Sequence, residues 1–138
     1  MFVIYNFFLF LVIFISPLIV LIRIFLGKED QNRFKEKYGF LAKNNNSNEV
    51  VWIHGASVGE ILSIIPIIKK FEKDKKIKRI LITSSTTSSS QILSKFRFKK
   101  TIHQFYPFDL SFLTKHFINH WKPKLAIFVD SEIWPNMF

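Results

Sequence analysis

The sequence contains no cysteine. Disulfide frameworks, thiolate metal sites and thiol redox chemistry are therefore excluded, and the chain is at home in a reducing cytoplasm without requiring one. Acid is scarce as well, with 10 Asp and Glu against 20 Lys and Arg. The formal charge of +10 favours anionic partners such as phospholipid head groups, phosphorylated glycolipids or nucleic acid. Four glycines and five prolines are too few for a low-complexity chain. No G-x-x-x-x-G-K-[ST] loop, no G-x-S-x-G elbow and no His pair at helical metal-binding spacing occurs, which removes support for P-loop, nucleophile-elbow and metal-hydrolase chemistry. At 138 residues there is room for one soluble core at most.

Hydrophobic residues make up 49% of the chain, and they are concentrated at the start. From Phe2 to Ile22 there is no charge, and only Tyr5, Asn6, Ser16 and Pro17 interrupt an apolar run. The run meets the length of roughly 20 residues needed to cross a bilayer as a helix. No basic residue precedes it and Arg23, Ile24 and Phe25 follow it, unlike a cleaved leader. The expectation is an uncleaved single-pass anchor over residues 1–26. The positive-inside rule puts the flank Arg23, Lys28, Arg33, Lys35 and Lys37 in the cytoplasm. The alternative is a buried helix, or an interfacial helix kinked at Pro17.

Residues 27–48 read as a basic juxtamembrane segment ending in a polar Asn44–Asn48 loop, and a domain over 49–138 begins near Glu49. Its apolar runs predict strands over Val50–His54, Arg79–Thr83, Thr101–Tyr106 and Leu125–Val129. Helical spacing between them predicts three helices. The first covers Gly59–Lys73, bent or shortened at Pro66, and buries Ile61, Leu62, Ile64, Ile65 and Ile68. The second starts in the Ser/Thr run and buries Ile92, Leu93 and Phe96; the third has Asp109 as N-cap, buries Leu110, Leu113, Phe117 and Trp121, and stops at Pro123. This order is an α/β fold, the opening half of a Rossmann-like parallel sheet.

Ligands of such sheets sit at the carboxyl ends of the strands. The turn after the first strand offers His54, Ser57 and Glu60, with Gly55 and Gly59 allowing close backbone approach to a ligand. Glu60 suits a general base for an attacking hydroxyl; the plainer alternative is an acid favoured by a helix N-terminus. After the last strand, Asp130, Glu132, Trp134 and Asn136 bring carboxylates, an amide and an indole together, a mixture suited to sugars or equally to a helix start. The Ser84–Ser90 run offers hydroxyls and N–H groups, Ser85 and Thr86 among them, to a phosphate. Lys69, Lys70, Lys73, Lys75, Lys76, Lys78 and Arg79 form a basic cluster whose first reading is a solvated face and whose second is contact with anionic lipid.

Together, VWIHGASVGE (Val51–Glu60), LITSSTT (Leu81–Thr87), YPFD (Tyr106–Asp109) and DSEIWPN (Asp130–Asn136) resemble, in order and spacing, the N-terminal half of Kdo (3-deoxy-D-manno-octulosonic acid) transferases. The resemblance covers nearly the whole chain. It implies the acceptor-side half of a two-domain GT-B glycosyltransferase, truncated before a C-terminal half that binds the donor CMP-Kdo. It further implies an inverting transfer of Kdo to a lipid A precursor at the inner membrane, with no cofactor, no metal and no nucleic-acid partner. Glu60 would be the proton acceptor and Glu132 would stabilise the transition state. Asp130 and Ser131 stand where Glu and Thr are usual, and Ser88–Ser90 where a glycine is common, departures that bear on acceptor geometry. Without the donor-binding half the chain is expected to be inactive. The rival readings are a non-enzymatic membrane module whose basic surface binds anionic lipid or nucleic acid, and a decayed fragment that folds poorly.

Overall fold

The structure, a computed structural model, describes residues 2–44, 49–129 and 135–136. Helix α1 spans Phe2–Phe25, and a 3₁₀ turn follows at Phe34–Tyr38. Then come β1 (Val50–His54), α2 (Val58–Lys73), β2 (Arg79–Ser84), α3 (Thr87–Ser94), β3 (Thr101–Phe105), α4 (Ser111–Trp121) and β4 (Leu125–Phe128). The four strands are parallel in the order β3-β2-β1-β4, with β1 paired to both β2 and β4. The strands expected from the sequence are all present, within one residue at each end.

Strand side chains alternate between two cores, as the two-residue period requires. Val51, Ile53, Ile80 and Ile82 pack with Ile61, Ile64, Ile65 and Ile68 of α2 and Leu93 of α3. Val50, Trp52 and Leu81 turn to the other face and meet Tyr106, Phe117 and Trp121. A sheet buried on both faces explains why its strands read as continuous apolar runs.

Four local expectations are corrected. α2 is not shortened at Pro66 and continues to Lys73, with the proline on the exposed side and four buried isoleucines on the other. Leu62 lies on that outer side too and is 48% exposed. Ile92 and Phe96 are only partly buried, since α3 ends at Ser94 and leaves Leu93 as its one apolar core residue. Asp109 is not an N-cap: Leu110 occupies that position without a side-chain bond, and the Asp109 carboxylate accepts from the Tyr5 hydroxyl (2.8 Å) and the Asn136 backbone N–H (3.2 Å).

The segment after α1 folds against the sheet. Arg33 donates to both oxygens of Glu36 (2.7 and 2.9 Å), to Ser90 (2.9 Å) and to the His103 carbonyl (2.8 Å). Glu36 in turn accepts from the Phe105 backbone N–H (2.8 Å). These bonds cover the free edge of β3. Glu29, buried, takes Lys37 (2.7 Å) and Arg23 (3.0 Å).

Candidate functional site

The carboxyl ends of β1, β2 and β3 face α1 across a cleft of about 480 Å³. Ser57, Glu60, Ser85 and Thr86 form its polar wall, and Leu9, Val12 and Ile13 of α1 its apolar one. Tyr106, Phe108 and Asp109, from the turn after β3, close one end, and Lys37 adds a cation.

Glu60 is placed by the start of α2. Ser57 is the N-cap and accepts from the Glu60 N–H (3.3 Å), while the Glu60 carboxylate accepts from the Ser57 hydroxyl (2.9 Å) and the Ala56 N–H (2.7 Å). This is a capping box with the return bond shifted one residue back. Gly55 makes it possible: a Cβ there would lie 3.3 Å from the Glu60 Cβ and 3.4 Å from Ile61 Cδ1. The two readings of Glu60, helix-start acid and cleft carboxylate, therefore coexist. Each carboxylate oxygen carries one protein hydrogen bond from this turn and has capacity for a further one. Thr86 caps α3 in the same way, accepting from the Ser89 N–H (3.3 Å).

The structure divides the remaining sequence candidates. Ser57, Ser85 and Thr86 line the cleft beside Glu60. His54 does not, and this corrects its assignment to the substrate: it is fully buried, packed on Tyr106 and Phe128, with Nδ1 2.8 Å from the Thr83 hydroxyl. Burial lowers its pKa to about 4, against a weaker upward pull from Glu60, so it is neutral and structural. Gly59 is in the first turn of α2 with open space where a Cβ would point, and it is absent from the cleft lining. Asn136 is also absent from the cleft lining, though it bonds to a residue that lines it; it donates to the Asp109 carbonyl (2.6 Å) and to Asn6 (3.2 Å). Glu132 and its neighbours Asp130 to Trp134 lie outside the described residues.

Cleft residues absent from the sequence candidates are Tyr106, Asp109 and Lys37. Among the described residues the Tyr106 hydroxyl and one Asp109 oxygen have no hydrogen-bond partner. For the first two the signal available was the YPFD segment, in which Asp109 was read as a helix N-cap; Lys37 stood only in the basic flank. The lysine cluster of α2 lies at the opposite, amino edge of the sheet, exposed and remote from the cleft. Among the described residues no three His, Asp or Glu side chains converge as a metal site.

A parallel Rossmann-like sheet with a carboxylate fixed at its carboxyl rim, beside a long apolar helix, fits the N-terminal half-domain of a GT-B glycosyltransferase. Residues 32–138 match the family model described as 3-deoxy-D-manno-octulosonic-acid transferase (kdotransferase). A 3-deoxy-D-manno-octulosonic acid transferase of Rickettsia bellii is 40% identical over 95% of this chain and 31% of its own length. The Haemophilus influenzae transferase is 32% identical over 78% of this chain and 25% of its own, and a probable mitochondrial one from Arabidopsis thaliana is 32% identical over 89% and 28%. The chain belongs to the Kdo transferase family, glycosyltransferases of lipopolysaccharide biosynthesis. It spans about a third of the length of the curated relatives it matches.

Proposed function

We propose that this chain is the acceptor-binding half of an enzyme that transfers Kdo from CMP-Kdo to a lipid A precursor, lipid IVA, with inversion at the anomeric carbon. The observation that carries the reading is the setting of Glu60, a carboxylate held by two hydrogen bonds on the polar wall of a cleft whose other wall is an apolar helix. An amphiphilic acceptor matches both walls. Its glucosamine hydroxyl reaches Glu60, its acyl chains follow Leu9, Val12 and Ile13, and its phosphate gains from Lys37.

In the proposed step Glu60 takes the proton of the acceptor hydroxyl as that oxygen bonds to the anomeric carbon of Kdo. The bond from that carbon to the CMP phosphate breaks, and CMP leaves with the electron pair. Glu132 stabilises the positive charge developing on the Kdo ring. Ser57, Ser85 and Thr86 orient the acceptor. No metal enters the step. CMP-Kdo binding is assigned to a C-terminal half such as the remainder of the relatives' length provides. The domain is assigned to the cytoplasmic face of the inner membrane, where the cationic flank from Arg23 to Lys37 meets anionic head groups.

The test is Kdo transfer from CMP-Kdo to a tetra-acylated lipid A precursor. It uses membranes holding this chain with and without the C-terminal part of the Rickettsia bellii transferase. Transfer that needs both parts and falls about 10²-fold or more in Glu60→Gln is expected. Unchanged transfer in Glu60→Gln refutes the base assignment. No transfer in any combination returns the chain to an anionic-lipid-binding module or a remnant.

A further inference from the structure

Every polar side chain of α1 from Tyr5 onward lies on one side of the helix. Asn6, Leu9, Ile13, Ser16, Val20 and Arg23 recur at alternating steps of three and four and form its least exposed stripe, with Tyr5 alongside. Such spacing marks a single helix face. The stripe is fastened to the sheet domain near one end and, further along, to the segment after α1 that packs on the sheet. Tyr5 donates to Asp109 (2.8 Å) and Asn6 accepts from Ser111 (3.3 Å) near one end; Ser16 bonds to Tyr38 (2.7 Å) in the middle; Arg23 pairs with Glu29 (3.0 Å) near the other.

From Tyr5 to Arg23 the helix rises about 27 Å at 1.5 Å per residue, nearly the whole hydrocarbon thickness of a bilayer, roughly 30 Å. A helix standing across the membrane with these ties intact would carry Asp109, Ser111 and the Glu60 cleft into hydrocarbon, where charged groups are costly. The outward side is uniformly apolar: Phe7, Phe14 and Phe25 are 63%, 81% and 95% exposed, and no polar residue interrupts Val3, Ile4, Phe7, Phe8, Phe10 and Leu11 or their successors up to Ile22. Exposed cations Lys28 and Lys35 follow directly. This is a surface for acyl chains bordered by charge for anionic head groups.

We propose that α1 does not cross the bilayer but lies along one leaflet of an anionic membrane, its outward face among the acyl chains and both its ends on the side of the soluble domain. This replaces the single-pass expectation. It rests on the membrane attachment proposed above and not on the transfer reaction.

Because the chain has no cysteine, an introduced one is its sole thiol. One variant carries a cysteine in a short hydrophilic extension ahead of Met1, and a second carries Lys75→Cys. Each is treated with a membrane-impermeant maleimide in sealed vesicles of both orientations. Both thiols are expected to react from the same side and neither from the other. Labelling of the extension only from the side opposite Lys75→Cys overturns the proposal. Should the extension react from neither side, the pair Asn6→Cys/Ser111→Cys decides: bridging by a short bismaleimide in membranes upholds it, and failure to bridge overturns it. Recovery of the chain in the soluble fraction overturns the proposal together with the membrane attachment beneath it, while leaving the transfer assay untouched.

Discussion

Replacing Thr83 by valine tests how the strand that underlies the cleft is held. The Thr83 hydroxyl accepts from the Trp52 indole N–H (2.8 Å) and stands 2.8 Å from His54 Nδ1, and all three residues are buried. An indole can only donate, so the threonine oxygen accepts from Trp52, and the same hydroxyl pairs with His54 Nδ1 in the direction the histidine tautomer sets. Valine fills nearly the same volume, so packing is preserved while two buried polar groups lose their partner. At about 1–3 kcal/mol for each, the expected loss is about 2–6 kcal/mol, a large share of a domain stability of about 5–15 kcal/mol. Thr83→Ser keeps the hydroxyl and removes one methyl, for about 1 kcal/mol. Urea unfolding of the detergent-solubilised chain, followed by tryptophan fluorescence, should therefore rank valine well below serine. Valine as stable as serine would show that the shared hydroxyl is not what secures β1 to β2.

Stability should also fall on acidification. Burial lowers His54 to about 4, and burial with the nearby Arg33 lowers His103 to about 3, from an ordinary value near 6.5. The unfolded chain then binds more protons than the folded one, so this contribution is complete above about pH 6.5 and is lost as pH falls toward 4 and 3, by up to about 1.4 kcal/mol per pH unit for each histidine. Unfolding midpoints measured from pH 7.5 to 5 check it, and a flat profile contradicts it. Gly39→Ala and Gly59→Ala should differ in sign. Gly39 has φ of 93° and a Cβ there would meet Leu113 Cδ2 at 2.8 Å, for a loss of about 1–3 kcal/mol. Gly59 is helical with open space, for a gain of about 0.5–1 kcal/mol. Thermal unfolding of both variants decides.

The sheet was legible because each strand is an apolar run bounded by turns, and four of the five core residues expected on α2 followed from their spacing, Leu62 excepted. The rim was legible for the same reason: Ser57, Glu60, Ser85 and Thr86 immediately follow strands or open helices, so topology brings them to one edge. What escaped depends on contacts between distant segments. Asp109 precedes an apolar helical run as an N-cap would, and nothing local says that its partner is Tyr5, 104 positions earlier. Arg33 was legible only as part of a basic flank, yet with Glu36 it covers the edge of β3. His54 ends a strand buried on both faces, where alternation cannot separate a ligand-facing side chain from a core one.

The polar residues of α1 show how an interruption becomes information. Taken singly, Tyr5, Asn6 and Ser16 only dilute an apolar run. Taken by spacing, Asn6, Ser16 and Arg23 share a stripe, and that stripe is the one the domain grips. The same helix supplies Leu9, Val12 and Ile13 to the cleft that holds Glu60. One rigid element thus faces the Glu60 rim on one side and, in the arrangement proposed above, lipid on the other, which would fix the depth of Glu60 relative to the leaflet. A lipid acceptor whose acyl chains stay in that leaflet would then meet the carboxylate at a constant height. An anchor joined to the domain by a loose tether would leave that height to chance, whereas ties at both ends and the middle of α1 remove the freedom before substrate arrives.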